Sequence, residues 1–130
     1  MSNLQKKAEN FKNSVARLQE SLAEYEQNKS TTVRDGAIQR FEFCVELAWK
    51  TTREYLLEQG FLDLNSPKSV MREAYAYKII NDEHSWIQIL NDRNLTSHVY
   101  DEKTADEIFI RICTSHFPAL KELSAYLWEK

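Results

Sequence analysis

Leu4, Ala8, Phe11, Val15, Leu18, Leu22 and Tyr25 follow one another in alternating steps of four and three. Residues spaced in this way share one side of an α-helix and no side of a strand. Lysines, glutamates and glutamines fill the positions between them. The N-terminal quarter of the chain is therefore a long amphipathic helix with a heptad seam. Such a seam either packs on its own domain or meets another subunit in part. The run is short for a free-standing coiled coil, which favours packing within the domain.

The same helical period continues with few interruptions. The 130 residues hold only 2 glycines and 2 prolines, too few for the many turns of a β-rich fold. Asn28-Lys29-Ser30-Thr31-Thr32 breaks the first helix and offers capping hydroxyls for a second, from about Val33 to Gln59. Phe41, Val45, Ala48, Thr52 and Leu56 form its main stripe, which Phe43, Leu47 and Cys44 widen. A helix apolar on so much of its circumference belongs at the centre of its domain or under a partner. Glu42, Glu46, Lys50 and Glu54 trace a polar line that reads as a solvated face, with Glu46 and Lys50 spaced to pair. Gly60 ends the helix as a left-handed cap. Ser66-Pro67 starts a third helix, expected to reach about Ile79, and Asn81-Asp82 starts a fourth, on which Trp86, Ile89, Leu90 and Arg93 share a face. A fifth is expected from about Thr104 to Trp128, with Ile108, Ile112, Leu120, Leu123 and Leu127 inward. Pro118 lies inside it, removes the hydrogen bond to Thr114 and should kink or break it. The expected fold is all-α, an antiparallel helical bundle of about five helices, forming one domain over residues 1–130.

Charge narrows the function classes. The net charge is −3, and the successive stretches 1–30, 31–60, 61–92 and 93–130 carry +1, −1, −2 and −1. No stretch offers the broad basic face that holds duplex DNA through its phosphates, although a small cluster could still meet a few of them. Cys44 and Cys113 stand far apart in apolar helical patterns and read as buried thiols. No Cys/His pair has metal-ligand spacing, so neither a metal nor another cofactor is expected. The N-terminus MSNLQKKAEN has no apolar core of a signal peptide, and no run of about 18 apolar residues could span a membrane. The expected compartment is the cytoplasm.

One stretch carries chemistry. Asp92-Arg93-Asn94-Leu95-Thr96-Ser97-His98-Val99-Tyr100 brings an arginine, a histidine and a tyrosine within eight positions. Arg93 continues the Trp86/Leu90 stripe, so it should face packed surface and need a carboxylate, a phosphate or carbonyl oxygens. Glu46 and Asp35 are candidate carboxylates. At about 100° per residue Tyr100 falls nearly over Arg93, whereas His98 lies about 140° away. One regular helix cannot aim all three at a point. Either the helix loosens near Thr96-Ser97 or a second subunit completes the site. The reaction open to such a set is RNA cleavage through the substrate's own 2′-OH. His98 would act as general acid or base, Arg93 would hold the phosphate, and Asn94 would add a hydrogen bond to the substrate. Spacing alone leaves the plainer alternative ahead, in which the histidine is satisfied locally and the arginine bridges helix ends. His84 and His116 read as ordinary helix residues without an identifiable partner.

Two longer blocks change the balance. RDGAIQRFEFCVELAWKTTREYLLEQG and SPKSVMREAYAYKIINDEHSWIQILNDRNLTSHVYDE resemble, in order, the nucleotidyltransferase substrate-binding proteins of the HEPN superfamily. The resemblance runs from Arg34-Asp35 to the last helix. It implies a helical bundle that forms a homodimer or a higher oligomer and works with a minimal nucleotidyltransferase. The chain is not itself that transferase, since it lacks the glycine-serine turn and paired aspartates of such enzymes. The family pattern of an arginine, four residues, a histidine, one residue and a tyrosine falls on Arg93, His98 and Tyr100. In the toxin-like HepT branch, Arg93 and His98 would thus match the residues of metal-independent RNA cleavage across a dimer. Tyr100 would match the tyrosine to which the antitoxin transferase attaches AMP. Single-stranded RNA is the implied substrate. The older family name implies a rival: a non-catalytic subunit that presents a substrate to the transferase.

Overall fold

A computed structural model of the chain describes residues 1–98 and 101–130. Its helices are α1 (Asn3–Gln27), α2 (Thr31–Glu58), α3 (Pro67–Ala76), α4 (Glu83–Thr96), α5 (Glu102–Arg111) and α6 (Phe117–Trp128), with a π turn over Ile112–His116 joining the last two. Counting α5, the π turn and α6 as one interrupted rod gives the five helices expected. The described residues contain no strand.

Each of the helices α1 to α5 starts where its capping chemistry lies. The side chains of Ser2, Ser30, Ser66, Asp82 and Asp101 each accept a hydrogen bond from a backbone N–H in the first turn of α1 to α5 respectively. Ser2 and Gln5 make a reciprocal capping box, and Pro67 occupies the first turn of α3, where its missing N–H costs nothing. Gly60 follows α2 at φ +97°, a conformation that glycine adopts without strain. The third helix is shorter than expected. It stops at Ala76 because Lys78 turns to φ +65° and the N–H of Ile79 closes back on the Ala74 carbonyl.

α2 is the central rod and touches α1, α3, α4, α5 and α6. Phe41, Val45, Ala48, Thr52 and Leu56 are fully buried, as the stripe required. Each large apolar side chain so buried contributes about 1.5–3 kcal/mol. Cys44 and Leu47 widen the stripe, but Phe43 does not and is 62% exposed. The α1 seam is consumed within the bundle. Leu4, Ala8, Phe11, Val15 and Leu18 are buried, Tyr25 lies against Phe109, and α1 packs on α2 and α6. Cys44 is buried as expected, whereas Cys113 is exposed.

The interrupted rod refines what Pro118 does. The N–H of Phe117 bonds to the Ile112 carbonyl, five residues back, which marks the wider π turn. The extra residue lets the chain pass a proline that has no N–H and whose ring crowds the carbonyl of Thr114. Ile108, Ile112, Leu120, Leu123 and Leu127 all remain in the core on either side of it. No helix among the described residues is long and apolar enough to cross a membrane.

Candidate functional site

α4 ends inside the motif. Thr96 is its last residue and Ser97 its C-cap, and Thr96 Oγ1 donates to the Arg93 carbonyl at 2.7 Å. That local bond competes with the helix ladder. The helix thus loosens at Thr96-Ser97, one of the two ways by which the motif's residues escape a single helical face. His98 lies just beyond the cap. It is exposed, and its backbone N–H donates to the Leu95 carbonyl at 2.9 Å. Asn94 is exposed as well. Tyr100 falls outside the described residues. Among the described residues no hydrogen bond or ion pair joins Arg93, Asn94 and His98 to one another.

Arg93 points where its stripe predicts. Its side chain is 23% exposed and faces α2, with Nη1 3.3 Å from Glu42 Oε2 and Nε 3.6 Å from Glu46 Oε1. Nη1 also donates to Ser97 Oγ at 3.2 Å. Glu46 is therefore one carboxylate partner, and Glu42 is the other. Asp35 is not: it belongs to Arg34. The polar line of α2 is accordingly only half a solvated face. Glu42 and Glu46 turn to Arg93, while Glu46 also pairs with Lys50 at 3.8 Å.

Two other arginines near the motif are held far more tightly. Arg34, 3% exposed, donates from Nη1 to Glu102 at 2.7 Å and to Asp106 at 2.8 Å, and from Nε and Nη2 to Asp35. The hydrogen bond to Glu102 is the largest cause that raises its pKa, so it is a permanent cation tying the start of α5 to α2. Arg111 grips Asp92 with both edges of its fork, Nε to Oδ2 at 2.7 Å and Nη2 to Oδ1 at 2.9 Å. Arg93, by contrast, makes no hydrogen bond to a carboxylate among the described residues. Its two ion pairs are long, and its Nε, buried, has no hydrogen-bond acceptor among those residues.

Asp92 went unrecognised in the sequence, although it precedes Arg93. It is 7% exposed and accepts from Arg111 and from His116, whose Nε2 lies 2.7 Å from Oδ2. Burial pushes the carboxyl upward, but the hydrogen bonds from His116 and Arg111 and their charge outweigh it and hold the pKa at about 2. A carboxylate only accepts, so His116 Nε2 carries a proton and donates it. His116 is fully buried and stacks on Phe41 with ring centres 5.5 Å apart. It is a structural anchor with a definite partner, not the ordinary helix residue expected. Cys44, the other buried nucleophile, is disarmed: burial pushes its thiol up to about 11, and Sγ lies 3.1 Å from the Ser14 carbonyl.

Two cavities border the motif. One, of about 310 Å³, is lined by Arg34, Asp35, Thr96, Asp101 and Glu102, and its carboxylates disfavour an anion. The other, of about 140 Å³, lies between α2, the start of α3 and α4, and Arg93 and Asn94 both line it. Among the described residues no three His, Cys, Asp or Glu side chains cluster as a metal-ligand set.

Comparison with known proteins places this geometry. Residues 6–129 match the family model described as nucleotidyltransferase substrate binding protein like. A Haemophilus influenzae protein named probable ribonuclease HepT is 33% identical over 85 residues, which span 62% of this chain and 58% of that relative. A solved structure from Thermus thermophilus is 32% identical, covers 92% of this chain and 96% of its own, and superposes with a TM-score of 0.76. A second, from Haemophilus influenzae, is described as revealing the fold of a substrate binding domain of a nucleotidyltransferase. It shares that fold at a TM-score of 0.79 and 22% identity, over 92% of this chain and 98% of its own. With a family match that runs nearly from end to end on a bundle of the same shape, the chain belongs to the nucleotidyltransferase substrate-binding protein family.

Proposed function

We propose that the chain is a HepT-like HEPN protein. In this reading it is a metal-independent endoribonuclease whose site forms where two copies meet, and it is silenced when a minimal nucleotidyltransferase attaches AMP to Tyr100. The observation that carries the reading is the state of Arg93. Two neighbouring arginines are saturated by hydrogen-bonded carboxylates, and Arg93 is not. A guanidinium kept near the surface with an unfilled donor suits an incoming phosphate oxygen. The likeness to a probable ribonuclease HepT and the family match support the same assignment.

The chemistry follows from the residues. Arg93 holds a non-bridging oxygen of the scissile phosphate and offsets the charge that builds there. The 2′-OH attacks phosphorus as its proton passes to a base, the bond to the 5′-oxygen breaks, and that oxygen takes up a proton. The products are a 2′,3′-cyclic phosphate and a free 5′-hydroxyl. His98, exposed at the end of α4, serves one of the two proton transfers. Asn94 adds a hydrogen bond to the substrate. Single-stranded RNA supplies a flexible 2′-OH. AMP on Tyr100, seven residues after Arg93 in the sequence, would add bulk and negative charge that oppose an RNA phosphate.

A second reading has its own support in the family's description and in the pairing of Arg93 with Glu42 and Glu46. There the chain presents a substrate to the transferase and performs no chemistry. One experiment separates the two. Purified protein, shown by mass spectrometry to carry no AMP, is incubated with cellular RNA in EDTA beside its His98→Ala and Arg93→Ala forms. Cleavage should fall at least about 100-fold in each variant. An unmodified protein that leaves RNA intact would overturn the nuclease assignment in favour of the presenting subunit.

A further inference from the structure

Burying an N–H with no acceptor is costly and uncommon in native folds. Three buried side-chain nitrogens lack a hydrogen-bond partner among the described residues: Trp49 Nε1, Arg93 Nε and His116 Nδ1. His116 Nδ1 is set aside, since the hydrogen bond to Asp92 requires a proton only on Nε2. The other two must be donors, and both belong to side chains that line the 140 Å³ cavity. They come from different helices, α2 and α4. Their meeting is not an accident of one helix end.

The remaining lining selects what enters. Lys68 contributes an exposed ammonium and Asn94 an amide. α3 begins at the same place, with Ser66 as its cap and Pro67 in its first turn, so the positive end of that helix faces the site. Glu46 is the one carboxylate of the lining, and it is shared with Lys50 at 3.8 Å and Arg93 at 3.6 Å. Two cations and the neutral donors of Trp49, Asn91 and Asn94 thus surround one compensated anion. An apolar group would leave both N–H donors unmet, and a cation would meet like charge.

We propose that this cavity is a phosphate-binding subsite, in which Trp49 Nε1, Arg93 Nε and Lys68 Nζ bind the oxygens of a nucleotide phosphate. Arg93 then acts along two edges. Its Nη1 reaches Ser97 at the end of α4, where His98 follows, and its Nε lies 3.6 Å from Glu46, which lines the cavity beside it. The proposal deepens the reading of Arg93 given above: the subsite takes a phosphate beside the scissile one in an RNA strand. It does not need cleavage to be tested, so its failure and that of the nuclease assignment can be told apart.

The probe is built in. The chain has 3 tryptophans, hence three indole N–H signals in a nitrogen-correlated NMR spectrum, and Trp49→Phe assigns one of them. Inorganic phosphate, AMP and a 2′-O-methyl RNA tetranucleotide, which lacks the attacking hydroxyl, are titrated separately. The Trp49 indole N–H should shift and saturate. Binding should weaken about ten-fold or more in Lys68→Met, and the slope of log affinity against log salt for the tetranucleotide should shrink by about 0.7. Tightest binding of the tetranucleotide identifies an RNA phosphate, and tightest binding of AMP a free nucleotide. Lys68 is exposed, so its substitution should leave folding intact. A Trp49 signal unmoved by all three ligands, or an affinity unchanged in both Lys68→Met and Trp49→Phe, overturns the subsite.

Discussion

Asp92 directly precedes Arg93, is buried, and is gripped by Arg111 and His116. Asp92→Asn should destabilise the fold by about 3 kcal/mol, because it leaves buried His116 and half-exposed Arg111 without their shared carboxylate, and urea unfolding at neutral pH measures it. The pH dependence has a definite sign. The folded carboxyl titrates at about 2, below the ordinary value of about 3.9. Its contribution is therefore complete above about pH 4 and is lost as pH falls toward about 2. The stability gap between wild type and Asp92→Asn should close over that interval, and a gap that stays constant would mean the carboxylate is not what holds Arg111 and His116. Little of this was legible beforehand. Arg93 could be placed because it continues an apolar stripe of period 3.6. Arg111 and His116 are five apart and diverge by about 140° on a regular helix. Only the π turn brings both onto one carboxylate.

At the scale of elements, the sequence was most informative where one period ran unbroken. The α1 seam from Leu4 to Leu18 and the main α2 stripe are buried as their spacing demands, and Leu22 and Tyr25 are partly so. Phe43 shows the limit of that logic: it widens an apolar pattern yet stands exposed, since period alone cannot say how far round a helix its neighbours reach. The end of α3 depended on Lys78 entering a left-handed conformation, which no local residue preference announces. Pro118 was visible as a disturbance, and what accommodates it was not. A proline in a regular helix costs about 3 kcal/mol. Here the π turn has already removed that penalty. Pro118→Ala should thus change stability by less than about 1 kcal/mol, as read from the thermal midpoint. A gain near 3 would show that the strain is still present.

Across the whole molecule, two ionic clusters, each built on a buried charged side chain (Asp92 or Arg34), fix the ends of the connection that carries His98 and Tyr100. Asp92 ties α4 to Arg111 and His116, and Arg34 ties the first turns of α5 to α2 through Glu102 and Asp106. Half-buried ion pairs of this kind add little net stability, so their value lies in position. Arg34→Met should speed amide hydrogen exchange over Glu102–Asp106 while leaving α1 unchanged. Equal acceleration throughout would mean that Arg34 serves overall stability instead. The net charge of −3 fits the proposed function, in which phosphate contact would be confined to a few donors near Arg93 and not spread over a basic face.

The π turn has a consequence for how this chain can change in length. A π turn is an α-helix with one residue inserted. Deleting Thr114 would restore an unbroken helix, keep Leu120, Leu123 and Leu127 in phase with Ile108, and set Pro118 in a regular ladder at a cost of about 3 kcal/mol. Deleting Thr114 together with Pro118→Ala should lift that cost. The spare residue and the proline are thus a compensating pair: this stretch tolerates a shortening only when the proline goes with it.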